Sequence, residues 1–329
     1  MKNTIGNSFT LTLFGESHGK AIGAVLDGVP SGVAVDEDFI SSQMEKRKGI
    51  NSISTPRREA DKVNILSGVF EGRTTGTPIC FMIENADTKS KDYSLTKDIA
   101  RPGHADYTAE MRYGGFQDYR GGGHFSGRIT APIVAAGALA ISMLREKGIE
   151  IGTHISLCGD IRDRDFGCYD EDIRALEALE MPVLCEKARA DMLSYIENAR
   201  NEGDSVGGTL TTVVTGMPAG VGEPWFDSVE SMLSHGLFSI PGIKGVEFGK
   251  GFGFSAMKGS EANDPFAVAE GKTVTLTNNN GGINGGITNG MPLLFSVAVK
   301  PTPWKHGKKL TMSLQKHFFQ VLTNTTTSS

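Results

Sequence analysis

The sequence predicts an α/β fold, of the α+β sandwich kind, as a single large domain with an internal pseudo-two-fold duplication. Strand-like and helical patterns alternate along the 329 residues, which favours a mixed fold. Two short motifs recur in the same order in both halves of the chain, which indicates a repeated unit. Because no linker or low-complexity stretch separates the halves, we expect them to share one core.

Seven apolar runs predict the strands of this fold, and five segments with helical periodicity predict its helices. The strand-like runs are residues 9–14, 22–27, 62–67, 78–83, 151–157, 210–215 and 292–299. The helical segments are residues 36–48, 130–147, 171–180, 186–202 and 227–237. The most apolar run, Ile129 to Leu144, is too short to span a bilayer and contains Pro132. We predict a buried helix there, with Thr130 as its N-cap.

The repeated motifs each combine a turn with a neighbouring strand. Residues 28–33 read GVPSGV and residues 216–221 read GMPAGV, and both follow an apolar run. Residues 72–83 and 286–297 both fit G-x-T-x-G-x-P-x-x-F-x-[IV], a turn followed by a strand. Glycine-rich turns also resemble one another by chance, and that alternative stays open. Duplication predicts two related halves.

Charge and cysteine content restrict the class of protein. The net charge is −5, which argues against a generic nucleic-acid or membrane-surface binder, so an anion site must be a local basic patch. The four cysteines, Cys80, Cys158, Cys168 and Cys185, form no C-x-x-C pair. We therefore expect free thiols in a cytoplasmic protein, with neither a disulfide frame nor a metal site.

Residues 14–19 read FGESHG, and Gly15 to Gly19 fits the G-x-S-x-G nucleophile elbow of serine hydrolases. That elbow needs a strand before the serine and a helix after it. Residues 20–30 instead read as a second strand, with glycines at 23 and 28. We predict a tight turn between two strands that presents Ser17 and His18 to a pocket. A serine hydrolase is the least favoured function.

Residues 46–58, KRKGINSISTPRR, hold five cationic side chains and no acidic one. A run of charge is typically a solvated face. In a chain with negative net charge, the same run also suits a loop that gathers guanidinium groups around phosphate or carboxylate, which arginine binds through two hydrogen bonds. Both interpretations stay open from the residues alone.

Residues 101–128 combine arginines, histidines, glycines and aromatic residues. The cationic and titratable members are Arg101, His104, Arg112, Arg120, His124 and Arg128. The Gly121–Gly123 run lets backbone N–H groups approach an anion, and a histidine beside a guanidinium suits proton transfer near neutral pH. A further glycine-rich stretch, GGINGGITNG at 281–290, suggests either close packing against a flat or phosphorylated ligand or a strained connection between strands.

Taken together, these segments resemble the chorismate synthase family. The matching stretches are FGESHG at 14–19, STPRREADKVNILSGVFEGRTTGTPI at 54–79, SKDY at 90–93, RPGHADYT at 101–108, DYRGGG at 118–123, GDSVGG at 203–208, KGVEFGKGF at 244–252, GGINGGITNG at 281–290 and VKPTP at 299–303. The resemblance covers about residues 4–303. It implies a chorismate synthase-like fold with internal pseudo-symmetry and a homotetramer.

The resemblance also implies the reaction, an anti-1,4-elimination of phosphate from 5-enolpyruvylshikimate-3-phosphate that gives chorismate in the shikimate pathway and requires reduced FMN. By resemblance, His18 and His104 are the acid–base histidines. The substrate-contacting positions are Ser17, Arg47, Arg101 and Arg128. The flavin-contacting positions are His124, Phe125, Ser126, Pro241, Gly242, Gly285, Lys300, Pro301 and Thr302. No motif for a nicotinamide site, as an NADP-dependent flavin reductase would need, is apparent.

Three segments depart from the family pattern. Residues 124–128 read HFSGR where many members have Arg-Ser-Ser-Ala-Arg, Pro241-Gly242 replaces Asn-Ala, and Ile53 replaces an arginine. These departures affect individual flavin contacts. They are typical of a subfamily variant.

After Pro303 the resemblance stops, and residues 304–329 form a non-family tail that we expect to be frameshifted or disordered. Family members continue with a Gly-Arg-His-Asp-Pro segment that supplies an arginine and an aspartate to the site. The sequence therefore predicts a family domain over 1–303. It leaves one alternative function, a catalytically impaired homologue that still binds flavin or substrate.

Overall fold

The computed structural model describes residues 2–47, 61–85, 99–302 and 312–313. The chain forms two compact units, the first comprising Met1–Gly49, Thr55–Leu139 and Pro303–Ser329, the second Ile50–Ser54 and Ala140–Thr302. Each unit contains a five-stranded sheet with helices. The mixed α+β fold expected from the sequence is confirmed.

The first unit is built on an antiparallel sheet with the order β1-β2-β3-β7-β4. The strands of the unit up to residue 100 are β1 (Thr4–Ile5), β2 (Thr10–Gly15), β3 (Ala21–Asp27), β4 (Asn64–Ser67), β5 (Val69–Phe70), β6 (Arg73–Thr74), β7 (Ile79–Glu84) and β8 (Ile99–Ala100). In β7 the alternate residues Ile79, Phe81 and Ile83 are buried, as expected for a strand with one face on the core.

Three helices accompany this sheet: α1 (Glu37–Glu45), α2 (Asp106–Tyr113) and α3 (Ala131–Arg145). Helix α1 begins after Asp36, whose carboxylate accepts a hydrogen bond from the Phe39 N–H at 2.8 Å. The expected N-cap of α3 is wrong. The Thr130 hydroxyl donates to the Gly127 carbonyl oxygen at 2.5 Å, because a 3-10 turn over Gly127–Thr130 precedes the helix.

The helical stretch Arg120–Arg145 is long and apolar enough to cross a membrane by length and composition. Its first part is 3-10 helix, in which Gly121–Gly123 have non-helical backbone angles. The α-helical part, α3, has 15 residues. Such a helix spans about 22 Å, which is less than the ~30 Å hydrocarbon core of a bilayer. Six residues of α3 are buried, so it is a core helix as the sequence predicts.

The second unit is built on another antiparallel sheet, with the order β10-β9-β11-β17-β12. Its strands are β9 (Glu150–Cys158), β10 (Ile161–Arg162), β11 (Gly208–Thr215), β12 (Ile243–Phe248), β13 (Phe266–Ala269), β14 (Lys272–Thr275), β15 (Ile283–Asn284), β16 (Ile287–Thr288) and β17 (Leu293–Val299). Its helices are α4 (Tyr169–Ala178), α5 (Glu186–Asn201), α6 (Val229–Ser239) and α7 (Gly259–Ala262). One side of the core gathers around Phe295 and Leu293, another around Met192 and Val183.

The central strands of each sheet pair in an equivalent register. In the first unit β3 pairs with β7, and Leu26 lies opposite Ile79. In the second unit β11 pairs with β17, and Val214 lies opposite Leu293. The repeated motifs that follow β3 and β11 are 188 residues apart, and those that precede β7 and β17 are 214 residues apart. Position 26 plus the first offset is position 214, and position 79 plus the second offset is position 293, so the two strand pairs are equivalent.

The turns after the central strands make matching hydrogen bonds. Thr74 Oγ1 donates to the Pro30 carbonyl oxygen at 2.6 Å, and Thr288 Oγ1 donates to the Pro218 carbonyl oxygen at 2.6 Å. The hydroxyl oxygens of the same threonines accept from the N–H groups of Val33 and Val221. Chance similarity of glycine-rich turns does not account for equal bonds at equal offsets. The internal duplication is confirmed.

All seven predicted strands and all five predicted helices are present, with ends shifted by at most three residues. Helix α2 and strand β12 were not predicted. In the tail, Met312–Ser313 forms a short strand, β18, that pairs with β8. The remainder of 303–329 lies outside the described residues.

Candidate active site

The FGESHG segment forms the turn between β2 and β3, which pair in antiparallel register with Gly15 opposite Ile22. Ser17 is fully buried in this turn. Its hydroxyl lies 3.2 Å from the Arg120 carbonyl oxygen and 3.3 Å from that of Gly121. A strand follows the turn where a nucleophile elbow needs a helix. Ser17 is therefore not an elbow nucleophile, and the turn predicted from the sequence is confirmed. The substrate contact expected of Ser17 stays a prediction.

Ser17 orients the ring of the adjacent His18, which is 6% exposed. Ser17 Oγ lies 3.0 Å from His18 Nδ1. The single hydroxyl proton points to main-chain carbonyl oxygens, which only accept hydrogen bonds. The oxygen therefore accepts from Nδ1–H, so Ser17 engages Nδ1 of the His18 ring and not Nε2.

A glycine loop brings His18 and His104 together. Gly121 and Gly122 have φ of 57° and 87°, which glycine adopts without strain. A Cβ at Gly121 would lie 2.2 Å from His18 Cε1, and a Cβ at Gly122 would lie 3.1 Å from His104 Cε1. The two predicted acid–base histidines therefore pack against consecutive residues of one loop. The loop was expected to approach an anion through its N–H groups, and that contact stays a prediction.

His104 lies in a compact ionic cluster with Arg101 and Asp106. Asp106 Oδ1 is 2.6 Å from His104 Nδ1, and the Arg101 guanidinium binds both carboxylate oxygens at 2.8 Å. Burial alone would raise the pKa of Asp106, but hydrogen bonds from Arg101 and His104 hold it well below its usual range. The cluster therefore keeps an ionised carboxylate beside the imidazole.

A second ionic pair lies on the other side of the glycine loop. Arg120 Nε and Nη2 donate to Asp118 at 2.8 and 2.7 Å. These hydrogen bonds lower the pKa of Asp118, and the positive charge of a protonated His18 lowers it further. Arg120 was noted in the sequence without a role. Its side chain is 35% exposed.

Two predicted substrate-binding arginines meet at one carboxylate. Asp61 Oδ2 accepts from Arg47 Nη1 at 2.7 Å, and Asp61 Oδ1 accepts from Arg128 Nη1 at 2.6 Å. Arg128 also donates to the Asn85 side-chain oxygen and to the Glu84 carbonyl oxygen, and its side chain is only 7% exposed. Arg128 thus ties the end of β7 to Asp61. Residues 48–58 of the predicted basic stretch lie outside the described residues.

An open groove of about 370 Å³ lies in the first unit, where Gly15 and Asp118 form part of its lining. Aromatic rings of Phe14, Tyr113 and Phe125 line it, together with His124 and Gln117. His124 Nδ1 lies 2.8 Å from the Gly15 carbonyl oxygen, so this nitrogen carries a proton. The Gln117 Oε1 atom is buried and has no hydrogen-bond partner in the described part of the chain. The groove therefore offers aromatic walls and one unused acceptor.

The remaining predicted flavin contacts belong to the second unit. The Lys300 N–H donates to the Gly242 carbonyl oxygen at 2.9 Å, which joins two of them at the ends of β17 and β12. Ser205 Oγ donates to the Thr302 carbonyl oxygen at 2.7 Å. Gly285 lies separately, at the exposed tip of the β15–β16 hairpin.

The glycine-rich stretch 281–290 makes close contacts within the second unit. A Cβ at Gly281 would lie 2.5 Å from the Gly249 backbone nitrogen, and one at Gly282 would lie 2.6 Å from the Pro292 carbonyl oxygen. These two glycines serve packing between strands, as the alternative interpretation held. A Cβ at Gly285 would meet nothing within 4 Å in the described structure, which leaves this position accessible.

The sequence did not reveal the three carboxylates that hold the arginines, namely Asp61, Asp106 and Asp118. For Asp106 and Asp118 a local signal exists, because each lies within a few residues of its partner in RPGHADY and DYRGGG. For Asp61 the pairing depends on contacts 14 and 67 residues away in the chain, which no short motif encodes.

Comparisons with known proteins agree with the resemblance. A family model described as chorismate synthase matches residues 9–325, which extends past Pro303, where the motif resemblance stops. A chorismate synthase from Thermococcus gammatolerans is 46% identical over 312 residues, which are 94% of this chain and 86% of that relative. One from Dehalococcoides mccartyi is 47% identical and covers 92% of this chain and 83% of its own length.

A solved structure has the same fold. The crystal structure of a chorismate synthase is 30% identical to this chain, covers 90% of it and 84% of its own chain, and superposes with a TM-score of 0.76. Sequence, fold and the paired histidines on one glycine loop agree: the chain belongs to the chorismate synthase family.

Proposed function

We propose that this chain is a lyase that eliminates phosphate from 5-enolpyruvylshikimate-3-phosphate by an anti-1,4 route to give chorismate. The observation that carries the proposal is the packing of His18 and His104 against Gly121 and Gly122. Both rings have Nδ1 bound to an oxygen, so each uses Nε2 for proton transfer. Two such nitrogens among arginines suit a reaction that moves protons beside an anionic substrate.

Arginines of the first unit bind the substrate, which carries a phosphate and two carboxylates. Arg101 and Arg120 are 34% and 35% exposed, and Asp106 and Asp118 hold them in place, so both guanidinium groups are oriented and partly accessible to these anions. Arg47 is 20% exposed and contributes a third guanidinium. The buried Arg128 acts mainly by holding Asp61.

The residues of this chain supply proton control during the elimination. The reaction breaks one C–H and one C–O bond and forms one C=C bond, without net oxidation, so the proton lost from carbon balances the proton that the departing phosphate takes up. His104, beside Arg101, donates its Nε2 proton to the departing phosphate, whose negative charge the guanidinium also reduces. His18, whose ring packs against Gly121, holds a proton on Nε2 when it is in its protonated form. The imidazolium of His104 is stabilised by Asp106.

Reduced FMN is the cofactor of the proposed reaction, and when bound it donates electron density transiently to the substrate. The groove in the first unit fits such a group. Its aromatic lining suits a planar ring system, and Gln117, whose Oε1 has no hydrogen-bond partner in the described part of the chain, would supply an acceptor for an N–H donor. His124, Phe125 and Ser126 would hold the flavin from this unit. For Pro241, Gly242, Gly285 and Lys300–Thr302, the resemblance alone supports a flavin-contacting role.

The protein is proposed to be a cytoplasmic homotetramer. Several large apolar side chains of the second unit are exposed, with Trp225 at 83%, Phe226 at 90% and Phe252 at 84%. Clusters of exposed apolar residues are typical of surfaces that pack against another chain. These side chains support an assembly of identical copies.

A catalytically impaired homologue is not favoured as the alternative. The family model matches through residue 325, and active-site residues of the first unit keep the contacts described above. The same comparisons cover 83–86% of the relatives named here, so most of the family sequence is represented.

An anaerobic assay tests the proposed function. Purified protein, chemically reduced FMN and 5-enolpyruvylshikimate-3-phosphate should release inorganic phosphate over many turnovers, and omission of the flavin should abolish release. Flavin absorbance changes on adding substrate without any phosphate release would instead establish the impaired homologue. An absence of both responses would remove this substrate class from consideration.

A further inference from the structure

Asp106 is the first residue of α2, and its carboxylate accepts four hydrogen bonds. Oδ1 accepts from His104 Nδ1 at 2.6 Å and from Arg101 Nη2 at 2.8 Å. Oδ2 accepts from Arg101 Nε at 2.8 Å and from the Arg101 backbone N–H at 2.9 Å. A carboxylate in the first turn is also favoured by the helix dipole. Asp106 is thus anchored from several directions before any ligand binds.

These contacts determine which nitrogen of His104 carries the proton. An ionised carboxylate only accepts hydrogen bonds, so the 2.6 Å contact requires a proton on Nδ1. Arg101 Nη2 lies 3.1 Å from the same nitrogen, but the guanidinium also only donates. Both donors therefore converge on Oδ1. The neutral ring is left with its lone pair on Nε2.

The Nε2 edge of the His104 ring, which carries that lone pair, lies next to the glycine loop. A Cβ at Gly122 would lie 3.2 Å from His104 Nε2 and 3.1 Å from Cε1. The Nε2 edge of His104 therefore faces the loop whose preceding residue, Gly121, packs on His18. The opposite edge of the ring faces Asp106.

We propose that Asp106 is a positioning residue that fixes His104 in the Nδ1–H tautomer and directs Nε2 to the proton-transfer position. Arg101 keeps the carboxylate ionised, so Asp106 orients the ring and stabilises its protonated form without taking the proton itself. This role rests on the proposed function for its effect on turnover. The tautomer itself is a property of the protein without flavin or substrate.

The Asp106→Asn variant discriminates because an amide has one oxygen and one donor group. Turning the amide oxygen toward Arg101 Nε and the backbone N–H keeps two acceptor contacts, and the amide NH₂ then faces His104, with loss of the hydrogen bond that Oδ1 accepts from Arg101 Nη2. His104 must then accept at Nδ1 and carry its proton on Nε2. We expect this variant to reverse the tautomer. Asp106→Glu retains a carboxylate and should retain the wild-type tautomer in whole or in part.

Nitrogen-15 NMR of the flavin-free protein reads the tautomer directly. In the wild type, His104 Nδ1 should be protonated and Nε2 unprotonated, and in Asp106→Asn the assignment should reverse. His154, whose Nδ1 lies 2.8 Å from Asp163, provides an internal reference that should not change. The same tautomer in wild type and Asp106→Asn would overturn the proposal, whether or not the protein turns over substrate.

Turnover supplies the second readout. The kcat of Asp106→Asn should fall by roughly 10–100-fold, a part of the contribution typical of proton transfer, while KM changes by less than about threefold. Asp191→Asn, in the exposed Lys187–Asp191 pair, should leave both parameters unchanged. Should Asp106→Asn fail to fold, Asp106→Glu is used, and a reversed tautomer there would contradict the role. An unaltered kcat in a variant whose tautomer reverses would overturn the catalytic part alone.

Discussion

Arg128 Nη1 donates to Asp61 Oδ1 at 2.6 Å, in a network that leaves the arginine side chain only 7% exposed. Loss of Arg128 would leave Asp61 Oδ1 without this donor, although Arg47 would still bind Oδ2. A buried carboxylate that loses one of its charged partners is destabilised. The pair therefore joins Asp61 to the end of β7 through Asn85 and Glu84. Arg128 contributes to stability as well as to the site.

Arg128→Ala should lower the free energy of unfolding by about 2–4 kcal/mol. Urea denaturation followed by circular dichroism measures this. Arg47→Ala, which removes the more exposed partner of Asp61, serves as the control and should cost less than about 1 kcal/mol. Equal losses in the two variants would show that Arg128 has no special structural role.

Arg47→Ala should mainly weaken substrate binding. Loss of one guanidinium that contacts an anion should raise KM about tenfold, with kcat within about threefold of the wild type. Steady-state assays over a range of substrate concentrations separate the two parameters. An unchanged KM would leave Arg47 as an ion-pair partner of Asp61 with no role in substrate binding.

Gly121→Ala should displace His18 and impair turnover. The new Cβ would lie 2.2 Å from the His18 ring, at a φ of 57° that disfavours alanine. Because misplacement of a reacting group by about 1 Å can cost ~100-fold in rate, kcat should fall at least tenfold. Gly127→Ala is the matched control, since a Cβ there meets nothing within 4 Å of the described structure. A Gly121→Ala enzyme as active as this control would separate the loop from catalysis.

Asp264 should make stability depend on pH in the acid range. Burial alone would raise the pKa of this carboxyl, but hydrogen bonds from Thr277, Asn280 and Asn279 hold it below the usual 3.8. A lowered folded-state pKa stabilises the protein fully above pH 3.8, and the effect is lost as pH falls below that value.

Asp264→Asn tests this pH dependence. The difference in unfolding free energy between wild type and Asp264→Asn should be constant from pH 7 to about pH 5 and shrink at lower pH. Urea denaturation at several pH values measures it. A difference that stays the same at pH 3 would show that the carboxylate charge is not the origin of the effect.

Regular strands and apolar helices were predictable from the sequence because burial of one face makes apolar residues recur at a regular spacing along the chain. Strand β7 alternates buried Ile79, Phe81 and Ile83 with less buried residues, so its pattern is local. Helix α2 was missed because Ala109 is its only buried residue and most of its surface is polar. Strand β12 was missed because Gly245 interrupts a short run and its register shifts beside β17.

Individual residues of the candidate site could be named from the sequence, but the contacts that join them could not. Short motifs identified His18 and His104, because histidines in glycine-flanked turns carry a local signal. The joint contact of both rings with Gly121 and Gly122 depends on positive φ angles in a loop far along the chain. Likewise, Asp61 meets Arg128 across 67 residues, which only the sheet of the first unit brings together.

The central claim is that His18 and His104 control protons in a phosphate elimination that requires reduced FMN. The most direct measurement is the simultaneous yield of phosphate and chorismate under anaerobic conditions, with the flavin spectrum recorded throughout. We predict equal yields of the two products, flavin that ends reduced, and a kcat at least ~100-fold lower in His104→Ala. Phosphate release at the wild-type rate by His104→Ala, or no chorismate from the wild type, would contradict the account.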